Sequence, residues 1–299
     1  MQIPDEVRKC VVFLAYRNKD GAIKFAGTGF FVSMPIKDPV SKDATEFLYL
    51  VTAKHVIAQI RMKSADQLVL IRINDRSGGF QFGTCALDAW VSHPSDPYVD
   101  VSVLPWAPDH KKFDYMSFPF DSFLTAQIAD EQGVGIGDEV FMVGLFASHY
   151  GKQRNVPVVR IGNIACVPEE PVDTQMGPAE AYIIEARSIG GLSGSPVMVI
   201  LGGMRPSKAG MVVGGALQLR LLGLVHGHWD VKEGSSDALV LDDLAAREAR
   251  VNMGMAIIVP FGKLAEVLEQ GQLESARQDQ LLALAARSKS SDIGSATES

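Results

Sequence analysis

Apolar residues in the first part of the chain fall in short runs separated by polar turns, the pattern of strands rather than of long helices. Val11 to Tyr16 reads as a first strand, with Asn18-Lys19-Asp20-Gly21 as a hairpin turn into a second, Ile23 to Ser33. Gly27 and Gly29 interrupt that second strand, where glycine marks a bulge or a close backbone approach. Met34 to Glu46 is polar with two prolines and is expected to be a surface loop. Phe47 to Thr52 is a strand that delivers His55 to a short helical turn, His55 to Ile60. Gln67 to Asn74 and Phe80 to Val91 follow, separated by a turn at Arg76 to Gly79. The loop His93-Pro94-Ser95-Asp96-Pro97 then leads to a strand through Asp100. Short strands at this density predict a barrel.

Pro105 to Phe120 is rich in proline and aromatics and is expected to cross between two lobes. A second set of strands follows at Gly137 to Gly144, Val156 to Ala165, Ala181 to Ala186, Val197 to Ile200, Ala216 to His226 and Met255 to Val259. Pro260 to Gln270 reads as a closing helix with Leu264, Val267 and Leu268 on one face. Leu273 to Arg287 reads as a further helix, and the Ser-rich stretch Ser288 to Ser299 as disordered. The expected division is therefore 1–120, an N-terminal barrel; 121–271, a C-terminal barrel with its closing helix; and 272–299, an extra helix and tail.

Composition narrows the class. Hydrophobic residues make up 47% of the 299, enough for a sizeable core. The net charge of −7 and the lack of an extended Lys/Arg cluster argue against nucleic acid as a partner. No apolar stretch approaches the length that spans a bilayer, so no membrane partner is expected. The first ten residues carry Asp5, Glu6, Arg8 and Lys9 and do not read as a secretory signal. Cys10, Cys85 and Cys166 are few, scattered and odd in number, which fits reduced thiols and predicts a cytoplasmic protein.

Three stretches carry candidate chemistry. Gly190-Gly191-Leu192-Ser193-Gly194-Ser195-Pro196-Val197 is a tight turn with a serine at its centre. Glycine at Gly191 lets the backbone turn freely, so that the N–H groups of Gly191 and Ser193 could point into one pocket. Turn residues of this kind are also ordinary at a strand corner. Leu50-Val51-Thr52-Ala53-Lys54-His55-Val56 ends an apolar strand at a small residue just before a histidine, a candidate general base. Val99-Asp100-Val101-Ser102-Val103-Leu104 sets a carboxylate at the mouth of a buried strand, where it must be hydrogen-bonded. Asp96 is a rival to Asp100, and Ser195 a rival to Ser193 as nucleophile.

With Gly27-Thr28-Gly29-Phe30-Phe31-Val32, these stretches read in the order His55, Asp100, Ser193. From about residue 8 to 270 the chain resembles the chymotrypsin/trypsin-like serine peptidase superfamily, and within it the bacterial cytoplasmic trypsin-like peptidase domain proteins. The resemblance implies an all-β fold of two six-stranded antiparallel barrels with a C-terminal helix. His55 and Asp100 would sit on the first barrel and Ser193 on the second, with the active site in the cleft between. It implies a serine endopeptidase acting on proteins or peptides without a cofactor: His55 as base, Asp100 as its orienter, Ser193 as nucleophile, and Gly191 and Ser193 as oxyanion donors.

By the same resemblance Arg187, Ser188, Ile189 and Gly190 would form the floor of the primary substrate pocket, and His226, Gly227 and His228 its wall. Arg187 falls where relatives that cleave after basic residues carry an acid. His226 and His228 share a strand face, but no third metal ligand is evident, and no metal site is assigned. Leu192 stands where secreted relatives place an acid that receives a newly freed amino terminus, and no propeptide is evident before the first strand. Activation is therefore expected to need no N-terminal cleavage. The competing expectation is a catalytically silent peptide-binding or scaffold module. The helix Leu273 to Arg287 either docks a regulatory partner or covers the second barrel.

Overall fold

A computed structural model describes residues 2–37, 44–174, 176–186, 190–207, 210–213, 217–231 and 251–295. The fold is mostly β, in two lobes followed by helices. The first lobe contains a short helix α1 (Asp5–Lys9), then β1 (Val11–Arg17), β2 (Ile23–Lys37), β3 (Ala44–Thr52) and helix α2 (Lys54–Lys63). It continues with β4 (Leu68–Asn74), β5 (Phe80–Ala86), β6 (Val91–Ser92), β7 (Ser102–Pro105) and β8 (Phe118–Pro119). These strands form one eight-stranded sheet in the order β5-β4-β1-β2-β3-β7-β6, with β8 pairing β2.

The second lobe contains β9 (Glu139–Gly144), β10 (Val158–Cys166), the hairpin β11 (Val172–Thr174) and β12 (Gly177–Ala179), β13 (Tyr182–Glu185) and β14 (Pro196–Leu201). The hairpin β15 (Met204–Ser207) and β16 (Gly210–Val213) follows, then β17 (Gln218–Val231) and β18 (Val251–Pro260). Six of these strands close into a barrel, β10-β13-β18-β17-β14-β9. A helix α3 (Ala126–Gln132) precedes it, and α4 (Phe261–Leu268) and α5 (Gly271–Ser295) end the described chain. No described helix is long and apolar enough to cross a membrane.

The unbroken apolar runs of β9 and β14 have a simple cause. Successive strand residues point to opposite faces. Val140, Met142, Val197 and Val199 fill the inside of the closed barrel. Phe141, Val143, Met198 and Ile200 face outward, into the core that continues through the first lobe. Both faces are buried, so both are apolar, and the lobe boundary is hydrophobic packing. Phe261, Leu264, Val267 and Leu268 of α4 join the same continuous core, as the expected helix face requires.

Several sequence expectations are corrected. Met34 to Glu46 is not simply a loop: β2 and β3 continue through it, with Met34 paired to Phe47 and both buried. Within this segment, residues 38–43 lie outside the described residues. Asp100 precedes its strand, which begins at Ser102. Pro105 to Phe120 stays with the first lobe, because Phe118 pairs beside Val32 on β2. The crossing comes next, where Leu124 N–H donates to Leu221 O and α3 forms. Thr125 Oγ1 caps α3 by accepting from Ile128 N–H, and Gly133 ends it at φ 63°. The backbone of α5 is helical through Ser295, so the helix runs further than Arg287; residues 296–299 of the expected tail lie outside the described residues.

Candidate active site

His55 is the second residue of α2, and Asp100 lies in the loop just before β7. Val99 and Val101 are buried on either side of Asp100, and the carboxylate between them is itself 1% exposed. Its two oxygens are used differently. Oδ1 accepts the backbone N–H of His55 at 2.8 Å. Oδ2 lies 2.7 Å from His55 Nδ1. A two-point attachment of this kind fixes both the place and the plane of the imidazole. The His55 side chain itself remains partly exposed.

A second imidazole shares the same oxygen. His226, on β17, places Nδ1 2.5 Å from Asp100 Oδ2. The two rings meet edge to face, with centroids 5.4 Å apart. Burial alone would raise the Asp100 pKa. The charge of His55 and hydrogen bonds from His226 and His55 outweigh it and hold the carboxyl well below its usual range. The ligating atoms of His55, Asp100 and His226 all lie within 4.8 Å of one another, so this trio could take a metal ion. From the sequence, His226 had only His228 beside it; the chain's folding supplies Asp100 and His55.

The serine turn is built at the lobe boundary. Gly191 has φ 103° and Gly194 φ 80°, backbone conformations that side chains disfavour. Space forbids them as well: a Cβ at Gly194 would lie 2.3 Å from Thr28 O and 2.4 Å from Thr52 Oγ1. Gly194 N–H donates to Val225 O, and Val225 N–H donates to Ser195 O, joining the turn to the strand that carries His226. Thr28 N–H donates to Ser193 O at 2.9 Å from the other lobe.

Ser193 is half-buried, whereas Ser195 is fully buried and its Oγ has no hydrogen-bond partner among the described residues. Among the described residues no hydrogen bond joins Ser193 Oγ to His55, and the N–H groups of Gly191 and Ser193 have no acceptor. Leu192 is fully buried inside the closed barrel, in apolar company.

Gly190 is exposed, and a Cβ there or at Gly227 would meet nothing described within 4 Å. Arg187, Ser188 and Ile189 lie outside the described residues, as does the side chain of His228. A cleft of about 270 Å³ adjoins Asp100 and His226, lined also by Tyr98, Val99, Ala181 and Val259.

Sequence reasoning missed the contact of His226 with Asp100. It also missed Arg72. This arginine is 1% exposed on β4, 3.7 Å from the Phe80 ring centroid, and it donates to the carbonyls of Tyr150, Gly151 and Lys152 in the second lobe. Its signal was present: a lone charge inside the apolar run Leu68 to Asn74.

Two lobes of antiparallel strand, with His55 and Asp100 on one and the serine turn of the other packed against it, make a trypsin-like fold. The sequence matches no protein-family model and no curated protein. Among solved structures the chain is similar to the MamO protease domain from Magnetospirillum magneticum. Identity is 14%, the match covers 89% of this chain and 98% of that one, and the TM-score is 0.49. It is also similar to human heparin binding protein, at 10% identity over 87% of this chain and 89% of that one, with a TM-score of 0.43.

Proposed function

We propose that the chain is a serine endopeptidase acting through His55, Asp100 and Ser193. The observation that carries this reading is the two-point attachment of His55 to a buried carboxylate. In the reaction, Ser193 Oγ attacks the carbonyl carbon of a peptide bond while His55 Nε2 takes the hydroxyl proton. The carbonyl oxygen becomes an oxyanion facing the N–H groups of Gly191 and Ser193. Collapse breaks the C–N bond, and the proton on His55 passes to the leaving amine. Water then attacks the acyl ester by the same route, releasing the acid and returning the proton to Ser193. Asp100 remains ionised throughout, which its depressed pKa favours.

Three free cysteines support a reducing compartment, which we take to be the cytoplasm. The partners on this reading are protein or peptide substrates. We also take the chain to divide at 1–120, 121–271 and 272–299.

A second reading is a silent trypsin-like module that binds peptides without cleaving them. It is favoured by the missing hydrogen bond between Ser193 Oγ and His55 among the described residues. Labelling with a fluorophosphonate separates the two, since the reagent needs an activated serine. The endopeptidase reading expects labelling that vanishes in Ser193→Ala. An inert wild-type protein would sink it and leave the binding module.

A further inference from the structure

We infer that Thr28, on β2 of the first lobe, is a positioning residue that holds the serine turn in its oxyanion-binding shape. This rests on the endopeptidase reading. Thr28 is fully buried, and its backbone and side chain both reach the turn. Its Oγ1 donates to Gly191 O at 2.8 Å, and its N–H donates to Ser193 O at 2.9 Å. The hydroxyl acts as donor and acceptor at once, because it also accepts Leu145 N–H at 2.9 Å. Thr28 O in turn accepts Thr52 Oγ1 at 2.7 Å, which ties the clamp to the strand running into His55.

The effect on the turn follows from the planarity of the peptide bond. Leu192 O and Ser193 N–H share one peptide plane, and Leu192 O accepts Ser195 N–H at 2.9 Å. The planes on either side of it contain Gly191 O and Ser193 O, both held by Thr28. Three consecutive planes are therefore fixed, and the middle one aims the Ser193 N–H away from Leu192 O. A donor aimed before the reaction begins stabilises the developing oxyanion without reorganisation. Leu192 adds an apolar anchor inside the barrel, so the clamp needs no buried ion pair at this position. Gly27 is required alongside, since a Cβ there would lie 2.9 Å from Ser193 O.

The test compares full-length wild type, Thr28→Val and Thr28→Ser in fluorophosphonate labelling, separating kinact from KI. Loss of the hydroxyl in Thr28→Val is expected to lower kinact about 100-fold with KI unchanged, the scale seen when an oxyanion donor is lost. Thr28→Ser keeps the hydroxyl and is expected to stay within about tenfold of wild type. Wild-type kinact in Thr28→Val, equal impairment of Val and Ser, or a loss confined to KI would each overturn the assignment.

Should Thr28→Val not fold, Thr28→Ala takes its place with the same expected outcome; its vacated site can admit a water. If wild type itself is inert, the peptidase reading falls, and Thr28 is judged on amide hydrogen exchange at Ser193. Faster exchange in the variant supports the clamp, and unchanged exchange overturns it.

Discussion

His226 Nδ1 lies 2.5 Å from Asp100 Oδ2, and the two residues come from different lobes. Asp100 thus links His55 on the first lobe to β17 on the second. Each imidazole that points Nδ1–H at the carboxylate leaves its Nε2 as an acceptor. A carboxylate buried between Val99 and Val101 benefits from every donor it has. His226→Ala is expected to cost about 1.5–3 kcal/mol of stability, the scale of a hydrogen bond to a charged group. Fluorophosphonate labelling should slow in parallel, because Asp100 is then held by His55 alone. Urea melts and labelling rates check both effects; a variant with wild-type stability and rate would show that the second imidazole is idle.

The two serines of the turn are expected to separate cleanly. Ser193→Ala and His55→Ala should each remove most of the activity, and the double variant should be little worse than either, since members of a triad act as a unit. Ser195→Ala should leave activity near wild type. Its Oγ is buried without a partner among the described residues, so removing it relieves an unpaid polar burial. A small gain in melting temperature is the expected sign. Loss of labelling in folded Ser195→Ala would reassign the nucleophile.

The lobes were legible because their strands are short, apolar and bounded by turn residues, and because buried faces leave a period-two trace. The runs at Val140 to Val143 and Pro196 to Leu201 were legible as strands, and the structure buries them on both sides. His55 and Asp100 could be paired only through the family resemblance, since spacing along the chain does not fix distance in space. The partner of His226 is 126 residues away, and strand alternation gives only the face a residue occupies. Met34 to Glu46 misled because its prolines suggested a loop, whereas Met34 and Phe47 bury each other across a hairpin. Helix α3 had a cap at Thr125 and a stop at Gly133, but it is short and contains no buried residue to give a periodic signal.

Acid should weaken the fold through Asp100. The sign follows from linkage: a carboxyl whose folded pKa is depressed adds stability that is complete above its unfolded value, about 3.9, and is lost as pH falls through the folded one. Wild type is therefore expected to exceed Asp100→Asn in melting temperature at neutral pH, with the gap shrinking progressively below about pH 4. Melts taken from pH 7 down to pH 3 test this. A gap that widens toward acid would mean that the carboxylate is not held by its two imidazoles in the folded state.

Arg72 should matter to the second lobe although it belongs to the first. Burial lowers its pKa, yet a guanidinium keeps its charge, so its hydrogen bonds must be met inside the protein. Three carbonyls, at Tyr150, Gly151 and Lys152, receive them, and Asn155 N–H donates to Asn74 Oδ1 on the same strand. The loop so held begins just after Leu145, whose side chain lies against Gly191. Arg72→Met keeps the bulk and the contact with Phe80 but leaves those carbonyls without their donor. It is expected to cost about 2–4 kcal/mol, within the range for breaking a buried charged network. Protease nicking should then appear between residues 146 and 155 before the rest of the chain is cut. Arg72→Lys should recover only part of the loss, because an ammonium cannot present the fork that spans successive carbonyls. Full recovery by lysine would show that charge alone suffices. Unchanged stability in Arg72→Met would show that the two lobes hold together without this clamp.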